Sequence, residues 1–124
     1  MIEVHVQNDP TELERIKNRH QIPADSVILA ASEDDRAVGF VALTHKGADM
    51  TLCAVEYADD AVCELLLRAA FSYGERRGVR QVTAEFSEPQ TVLSSLGFRL
   101  IDRQFTAGVN NVVHMCRNCE AHGN

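Results

Sequence analysis

The strongest constraint on the fold is a strand, a long amphipathic helix and a second strand that follow one another in the second half of the chain. Apolar side chains recur at helical spacing over residues 60–77, and Gly78 is a suitable C-cap for a helix there. TLCAVEY before this helix and VRQVTAEF after it are both typical of strands. Because a helical crossover joins parallel strands, we expect residues 79–86 to lie parallel to residues 51–57, with a right-handed connection.

Three strands precede the long helix. SVILAAS and AVGFVALTH are joined by EDDR, which predicts a hairpin, and TLCAVEY follows as the third strand. We therefore expect antiparallel strands over residues 26–57. TLCAVEY is predicted to alternate strictly between two faces, so that one face of the sheet holds Leu52, Ala54 and Glu56.

Shorter elements are predicted at the two ends of the chain. IEVHV is a half-buried strand, and Asp9 followed by Pro10 begins a helix that places one stripe of side chains at Leu13, Ile16 and His20. Near the other end, SEPQTVLSSLGF is predicted as a short helix, and RLIDRQFTAG is predicted to pair with NNVVHMC in a last hairpin. This order predicts a single domain over residues 1–124 with an α/β (α+β) three-layer sandwich. Its mixed, mostly antiparallel sheet is flanked by helices.

The composition limits the classes of binding partner and the cellular compartment that we expect for this chain. With 124 residues and 45% hydrophobic content, the chain can bury a core without disulfides or metals. The formal net charge of −6 argues against a nucleic-acid partner and favours neutral or cationic small molecules. The opening residues do not form a signal peptide and no run could span a bilayer, so we expect a cytoplasmic protein without a membrane partner. The four cysteines are then expected to be reduced thiols.

Several segments resemble one known family. VEYADDAVCELLL, residues 55–67, aligns without a gap with segments of the PEYRGKGIGSKLL type in the GNAT superfamily of acyl-CoA-dependent N-acyltransferases. ERRGV is similar to the family's helix end before its fifth strand, VLSSLGF is similar to its LYEKLGF signature, and GVNNVVHM resembles its terminal strand. The resemblance covers essentially the whole chain. It implies a GNAT-like fold and the transfer of an acyl group from acyl-CoA to an amine.

The resemblance also implies a site for acetyl-CoA at the start of the long helix. It places this cofactor against six residues, which are Ala54, Val55, Asp60, Ala61, Val62 and Cys63. Relatives carry Arg or Gln and then two glycines in this loop, so that bare N–H groups can approach the diphosphate. The corresponding positions here are Ala58, Ala61 and Cys63, a degenerate phosphate-binding loop in which Asp59 or Asp60 can cap the helix. We therefore expect acetyl-CoA to bind weakly, with Cβ atoms at Ala61 and Cys63 as an additional obstacle.

Acyl transfer to an amine also needs a base, because an ammonium ion cannot attack a thioester until it loses a proton. The resemblance places Glu56 and Glu85 where two strands separate around the acyl group, so both are candidate catalytic bases. The alternative for each is a solvated carboxylate at a strand end. The family's tyrosine near the leaving thiolate corresponds to Leu93, which cannot donate a proton. Tyr73 is expected in the core, whereas Tyr57 is open to either role.

The tail HMCRNCEAH has the donor types for tetrahedral zinc, in His114, Cys116, Cys119 and His122. The alternative is an untethered chain end, since the spacing matches no familiar zinc finger and chain ends commonly fray. We predict no metal site there. His5 and His45, each isolated on a strand, are expected to be surface or hydrogen-bonded residues.

Two functions remain open on the sequence. The first is an N-acetyltransferase acting on a small-molecule amine or a protein amine. The second is a GNAT-like domain without catalysis that works as a binding or oligomeric module, for example as a homodimer. Saturating acetyl-CoA should raise the melting temperature under the first function and leave it unchanged under the second.

Overall fold

The computed structural model describes residues 1–101 and 104–108. Seven strands form one sheet in this part of the chain: β1 (Ile2–Val6), β2 (Val27–Glu33), β3 (Arg36–Lys46), β4 (Asp49–Tyr57), β5 (Gln81–Ala84), β6 (Arg99–Ile101) and β7 (Gln104–Gly108). The helices are α1 (Pro10–His20), α2 (Asp60–Glu75) and α3 (Gln90–Ser95). Across the sheet the strands lie in the order β1-β2-β3-β4-β5-β7-β6.

The predicted strand directions are confirmed. Strands β1 to β4 form an antiparallel meander, and α2 connects β4 to the parallel strand β5. The hairpin at EDDR turns on Asp34 and Asp35, whose φ angles are 52° and 64°. This left-handed conformation is one that aspartate tolerates and that matches the twist of the two flanking strands.

Helices cover both faces of the sheet, which confirms the predicted three layers. On one face, α2 and α3 pack over a core whose fully buried side chains include Leu43, Met50, Leu52, Leu66 and Phe71. On the other face, α1 contributes Ile16 to a smaller cluster with Ile28, Phe40 and Ala42. Removing a large apolar side chain from water contributes roughly 1.5–3 kcal/mol, so the larger core supplies most of the burial.

The strict alternation predicted for β4 is wrong. Leu52 and Ala54 lie opposite two consecutive residues of β3, which leaves Cys53 as the extra residue of a β-bulge. Leu52 and Val55 both contact the core under α2, whereas Cys53 and Ala54 both contact the cluster under α1. The bulge therefore turns Glu56 to the α1 face of the sheet, opposite to Leu52.

Element ends also differ from the prediction in the second half of the chain. Helix α2 ends at Glu75, and the turn after it closes when the Val79 N–H donates to the Gly74 carbonyl at 2.9 Å. The Gly78 N–H donates to the Glu75 carbonyl at 3.2 Å and Gly78 has a φ of +81°, so it is the left-handed glycine of a Schellman motif, and its predicted capping role is confirmed. The following strand is shorter than predicted and covers Gln81–Ala84.

The last hairpin is formed by other strands than those predicted. Strands β6 and β7 pair with each other, so RLIDRQFTAG is itself a hairpin and not a single strand. NNVVHMC, and with it GVNNVVHM beyond its first residue, Gly108, lies outside the described residues. The four tail ligand candidates lie there as well, and the prediction for them stays untested: His114, Cys116, Cys119 and His122.

No helix in the described part of the chain is both long and apolar enough to cross a membrane. Within the same ranges, 1–101 and 104–108, no three His, Cys, Asp or Glu side chains are grouped so as to hold a metal ion.

Candidate functional site

Strands β4 and β5 separate where β4 approaches its end. Their pairing stops at Leu52 of β4, whose carbonyl accepts from the Glu85 N–H at 2.9 Å. Strand β4 continues beyond this point to Tyr57. Among the described residues, no strand pairs with this last part of β4 on the side of β5. The resulting gap can receive an extended chain with amide groups, because a free strand edge offers both N–H and C=O groups.

A cavity of about 310 Å³ lies between α1 and the ends of β3 and β4. Apolar side chains on its wall include Ile16, Ala30, Val38 and Phe40. Its charged or titratable lining consists of Glu12, Arg15, Arg19, His20 and Glu56. An apolar wall with a few convergent polar groups is typical of a site for a small molecule.

The central feature of this cavity is a pair formed by His20 and Glu56. His20 Nε2 lies 3.1 Å from Glu56 Oε2, and the Arg19 guanidinium lies 3.9 Å from the same oxygen. The His20 ring meets the Phe40 ring edge-on, with 4.9 Å between the centroids. A carboxylate beside an imidazole can accept a proton from a bound ammonium group, so the pair provides a base.

Sequence reasoning identified Glu56 but missed its partner. His20 was placed on the apolar stripe of α1, and the two residues are 36 positions apart. One sequence feature could have pointed to His20. The side of α1 that packs on the sheet ends in this histidine instead of an apolar residue. The β-bulge at Cys53, which turns Glu56 toward α1, is the feature that the strand pattern did not show.

Gly39 allows β3 to approach the end of β4 at this point. A Cβ at Gly39 would lie 2.4 Å from the Glu56 carbonyl oxygen and 3.1 Å from both Tyr57 Cα and Leu66 Cδ1. The first of these atoms is backbone, so a larger residue would have to displace β4 itself. The absent side chain therefore positions Glu56 at the cavity.

The second predicted base, Glu85, has different neighbours. It is exposed just after β5 and lies close enough to Cys53 to affect that thiol. Burial is the main cause that raises the pKa of Cys53, and the Glu85 carboxylate contributes in the same direction. Within the described residues, Glu85 has no imidazole partner and no hydrogen bond to Glu56. The structure thus brings Glu56 together with His20 and leaves the two carboxylates apart.

The N-terminus of α2 is capped by the chain itself. Asp59 is the N-cap, and its carboxylate accepts from the Val62 N–H at 2.9 Å. Among the described residues, the N–H groups of Asp60 and Ala61 have no hydrogen-bond partner. One helix donor is therefore already satisfied by an internal anion, as the sequence predicted for Asp59 or Asp60.

The residues predicted to hold the cofactor do not share one surface. Ala54 and Val55 contact cores on opposite faces of the sheet. Val62 and Cys63 belong to the first turn of α2, and their side chains are buried between this helix and the sheet, away from solvent. The expected obstacle at Cys63 is therefore wrong, whereas Ala61 is exposed and can act as one. Assignment of these residues to a cofactor stays a prediction.

The side chains at this helix terminus do not fit a diphosphate. Residues 60–67 include Asp60 and Glu64 and no basic residue. Burial raises the pKa of the Cys63 thiol to about 11, and the Asp60 and Glu64 carboxylates contribute to the increase. A thiol inside the first turn thus experiences the negative field of these acids, and a bound diphosphate would experience it too. Together with the Asp59 cap, this field opposes a second anion.

Three other predicted positions are placed as follows. Leu93 is fully buried and has no proton to donate. Tyr73 is half-buried against the core, with the Arg77 guanidinium 3.5 Å from its ring centroid and His45 edge-on to it. Tyr57 is half-buried, packs against the core under α2 and borders the cavity beside Glu56.

The chain is similar to N-acetyltransferases of known structure. The ribosomal-protein-S18-alanine N-acetyltransferase of Escherichia coli is 13% identical, with a TM-score of 0.70 over 88% of this chain and 94% of its own. A GNAT-family acetyltransferase from Staphylococcus aureus Mu50 is 14% identical, with a TM-score of 0.69 over 88% and 99%. The GNAT-family N-acetyltransferase YhbS from Escherichia coli, solved in complex with CoA, is 10% identical, with a TM-score of 0.65 over 90% and 84%.

No protein-family profile and no curated protein sequence matches the chain. Sequence identities of 10% to 14% carry the architecture and not the residues of a site. The similarity extends over nearly the whole length of these proteins, 94% and 99%, and over 88% of this chain. The chain therefore has the fold of the GNAT N-acetyltransferases.

Proposed function

We propose that the protein is an N-acyltransferase that moves an acyl group from a thioester to an amine. The proposal is supported by the GNAT fold and by the gap between β4 and β5. The observation that carries it is the 3.1 Å pair of His20 and Glu56 in the cavity, because amine attack needs a base at that place. Acetyl-CoA would serve as a weakly bound donor, since the α2 terminus does not fit its diphosphate.

The cavity side chains have distinct roles in this proposal. Glu56 takes a proton from the bound ammonium group, directly or through one water, and His20 orients the carboxylate. The amine nitrogen then bonds to the carbonyl carbon, the carbon–sulfur bond breaks, and the thiolate leaves; the second proton that the nitrogen loses replaces the one that the thiolate takes up. Tyr57 is the candidate donor of the proton that this thiolate takes up. Burial and the nearby Cys63 and acidic groups raise the pKa of Tyr57, so it keeps its proton near neutral pH.

The size of the cavity indicates the acceptor. A volume of about 310 Å³, partly enclosed by α1, favours a small-molecule amine over a protein amine. Such a ligand would place its apolar part against Phe40 and its ammonium group at Glu56. Holding the amine there beside a thioester in the gap would contribute to the rate through proximity.

Thiol release from acetyl-CoA at millimolar concentration, with a panel of small primary amines, tests the proposal. We expect turnover by the wild type and a decrease in kcat/KM of about 100-fold or more for Glu56→Gln. Glu14→Gln, an exposed α1 variant outside the cavity, is the matched control and should retain wild-type activity. No turnover with any amine, or full activity of Glu56→Gln, would contradict the proposal.

The Asp59 cap favours a second candidate, a GNAT-fold binding module without catalysis that works as a monomer or a homodimer. In that case small amines should raise the melting temperature through Glu56, while thioesters release no thiol. Light scattering would report the oligomeric state. Stabilisation by an amine, lost in Glu56→Gln and accompanied by no acyl transfer, would select this candidate.

A further inference from the structure

The two parts of a CoA thioester would meet opposite conditions in this protein. The gap between β4 and β5 offers a free strand edge that an extended amide chain can pair with. The α2 terminus, where β4 leads directly into the helix, carries the acids Asp59 and Asp60. An uncharged amide arm is therefore compatible with its surroundings, and a diphosphate is not.

Backbone hydrogen bonding at the terminus supports the same distinction. The Val62 N–H, which points out of the helix end, already donates to the Asp59 carboxylate at 2.9 Å. Among the described residues, an incoming phosphate would have to use the remaining free N–H groups, those of Asp60 and Ala61, and so lie against the Asp59 carboxylate. It would also lie near Asp60, which is exposed at the first helical residue. Both requirements weaken phosphate binding, whereas neither affects a ligand that ends before the helix.

Further acids surround the same end of the sheet. Glu64 lies in the second turn of α2, where its carboxylate is paired with Arg68 at 3.4 Å, and the exposed Glu88 follows β5 on the other side of the gap. Tyr57 lies between these elements, and the pKa of its hydroxyl is raised by burial and then by Cys63, Asp60 and Glu88. The negative field therefore extends across the entrance to the gap and is not confined to one side chain.

We propose that this protein takes acyl thioesters by their amide arm alone, so that its donor is a thioester of the pantetheine type without a diphosphate. This inference rests on the proposed acyl transfer and specifies its donor. The reaction is balanced as before: the amide bond forms, the carbon–sulfur bond breaks, and the free thiol leaves with one proton. The prediction is that the nucleotide part of CoA adds nothing to binding or reduces it.

Titration calorimetry of the wild-type chain with pantetheine and with CoA tests the inference, together with thiol release from acetyl-pantetheine and acetyl-CoA. We expect pantetheine to bind at least as tightly as CoA at low ionic strength. Asp59→Asn combined with Asp60→Asn removes two charges and keeps a capping side chain. This variant should bind CoA about tenfold more tightly and leave pantetheine binding within about twofold.

A matched control removes two acids elsewhere. Glu14→Gln combined with Asp25→Asn changes the net charge equally but affects exposed positions on α1 and the loop after it. CoA affinity should change by less than about threefold in this control, since those charges are largely screened from the α2 terminus. An equal gain in both variants would show that net charge, and not the terminus, sets the affinity, and would overturn the inference.

The outcomes separate the inference from the function on which it rests. CoA binding at least tenfold tighter than pantetheine, with acyl transfer from acetyl-CoA, would overturn the inference and leave the N-acyltransferase proposal standing. Binding of neither ligand and no transfer from either thioester would overturn both. Equal binding of the two ligands with transfer from acetyl-pantetheine would support both.

Discussion

The cavity beside α1 and the N-terminus of α2 lie at the two sides of the end of β4, and they use charge differently. In the cavity, the carboxylate of Glu56 meets the His20 imidazole at 3.1 Å and remains about half exposed, so it is available to a ligand. At the helix terminus, the carboxylate of Asp59 is committed to the Val62 N–H. The first arrangement is suited to proton transfer and the second to helix stability.

This difference teaches that one fold can place a carboxylate suited to proton transfer close to a helix end whose acids oppose an anion. The chain as a whole matches acetyltransferases of known structure at TM-scores of 0.65 to 0.70. The same backbone places a self-capped acidic helix end where an anion site could be. The architecture thus fixes where a ligand could lie, whereas individual side chains decide which chemical groups are accepted.

The largest expected effect is a loss of stability on substitution of Gly39, where β3 packs closely on the end of β4 that borders both regions. Gly39→Ala would place a Cβ 2.4 Å from the Glu56 carbonyl oxygen, so β4 must shift. We expect a loss of about 3 kcal/mol in the free energy of unfolding, at the upper end for overpacked sites. Urea unfolding measures it. Gly47→Asn, at a turn with no atom within 4 Å, is the control and should cost less than about 1 kcal/mol. Equal losses would argue against a steric role for Gly39.

The burial of the Cys63 thiol, with a smaller contribution from the Asp60 and Glu64 carboxylates, should appear in the pH dependence of stability. The pKa of Cys63 is raised from 9.0 to about 11, so the folded state keeps the thiol proton over a range in which the unfolded state loses it. Unfolding free energy should therefore be unaffected below pH 9 and decrease as the pH rises from 9 to 11, by on the order of 2 kcal/mol. Cys63→Ala should flatten this decrease, as followed by urea unfolding at each pH. An unchanged slope in the variant would contradict the assignment.

A smaller effect on stability distinguishes the capping carboxylate of Asp59 from the cavity carboxylate of Glu56. Asp59→Ala should reduce the free energy of unfolding by about 1 kcal/mol, because the Val62 N–H loses its acceptor. Asp59→Asn restores an acceptor and should lie within about 0.5 kcal/mol of the wild type. Thermal unfolding of the three proteins makes the measurement. Identical melting temperatures for the alanine and asparagine variants would remove the capping role.

The smallest expected effect is on stability at the cavity. Glu56→Gln breaks a pair that is about half exposed on its carboxylate side, and such pairs contribute roughly 0–1 kcal/mol. The variant should therefore unfold like the wild type while losing acyl transfer. A loss of stability larger than that of Asp59→Ala would mean that Glu56 has a structural role and that the comparison between the two regions is wrong.

Periodicity and turn residues were sufficient to predict most of the fold. The helical spacing over residues 60–77 and the hairpin at Asp34 and Asp35 set the element order, and the helical crossover then favoured a β5 parallel to β4. The β-bulge at Cys53 was not predictable in this way, because an inserted residue changes the pairing with β3 without a mark in the strand pattern. The bulge, and not strict alternation along β4, therefore determines the face of the sheet on which Glu56 lies.

The candidate site was predictable in part. The acids and missing glycines at the start of α2 were visible as local sequence, and the cap at Asp59 needs only neighbouring residues. The partner of Glu56 is a long-range contact, which depends on how α1 crosses the sheet and on the close approach at Gly39. No local pattern encodes that approach, so the helical spacing gives His20 only its position on one stripe with Leu13 and Ile16.

The salt dependence of CoA affinity tests the central claim most directly, that the α2 terminus repels a diphosphate while the rest of the GNAT fold is intact. Calorimetric titration of the wild type with CoA should be made from about 0.02 to 0.5 M salt, over which the screening length falls from roughly 20 Å to about 4 Å. The account predicts that CoA affinity rises with salt, because screening removes repulsion from Asp59 and Asp60. Tight CoA binding that weakens as salt is added would contradict it, since that behaviour belongs to a site that attracts the diphosphate.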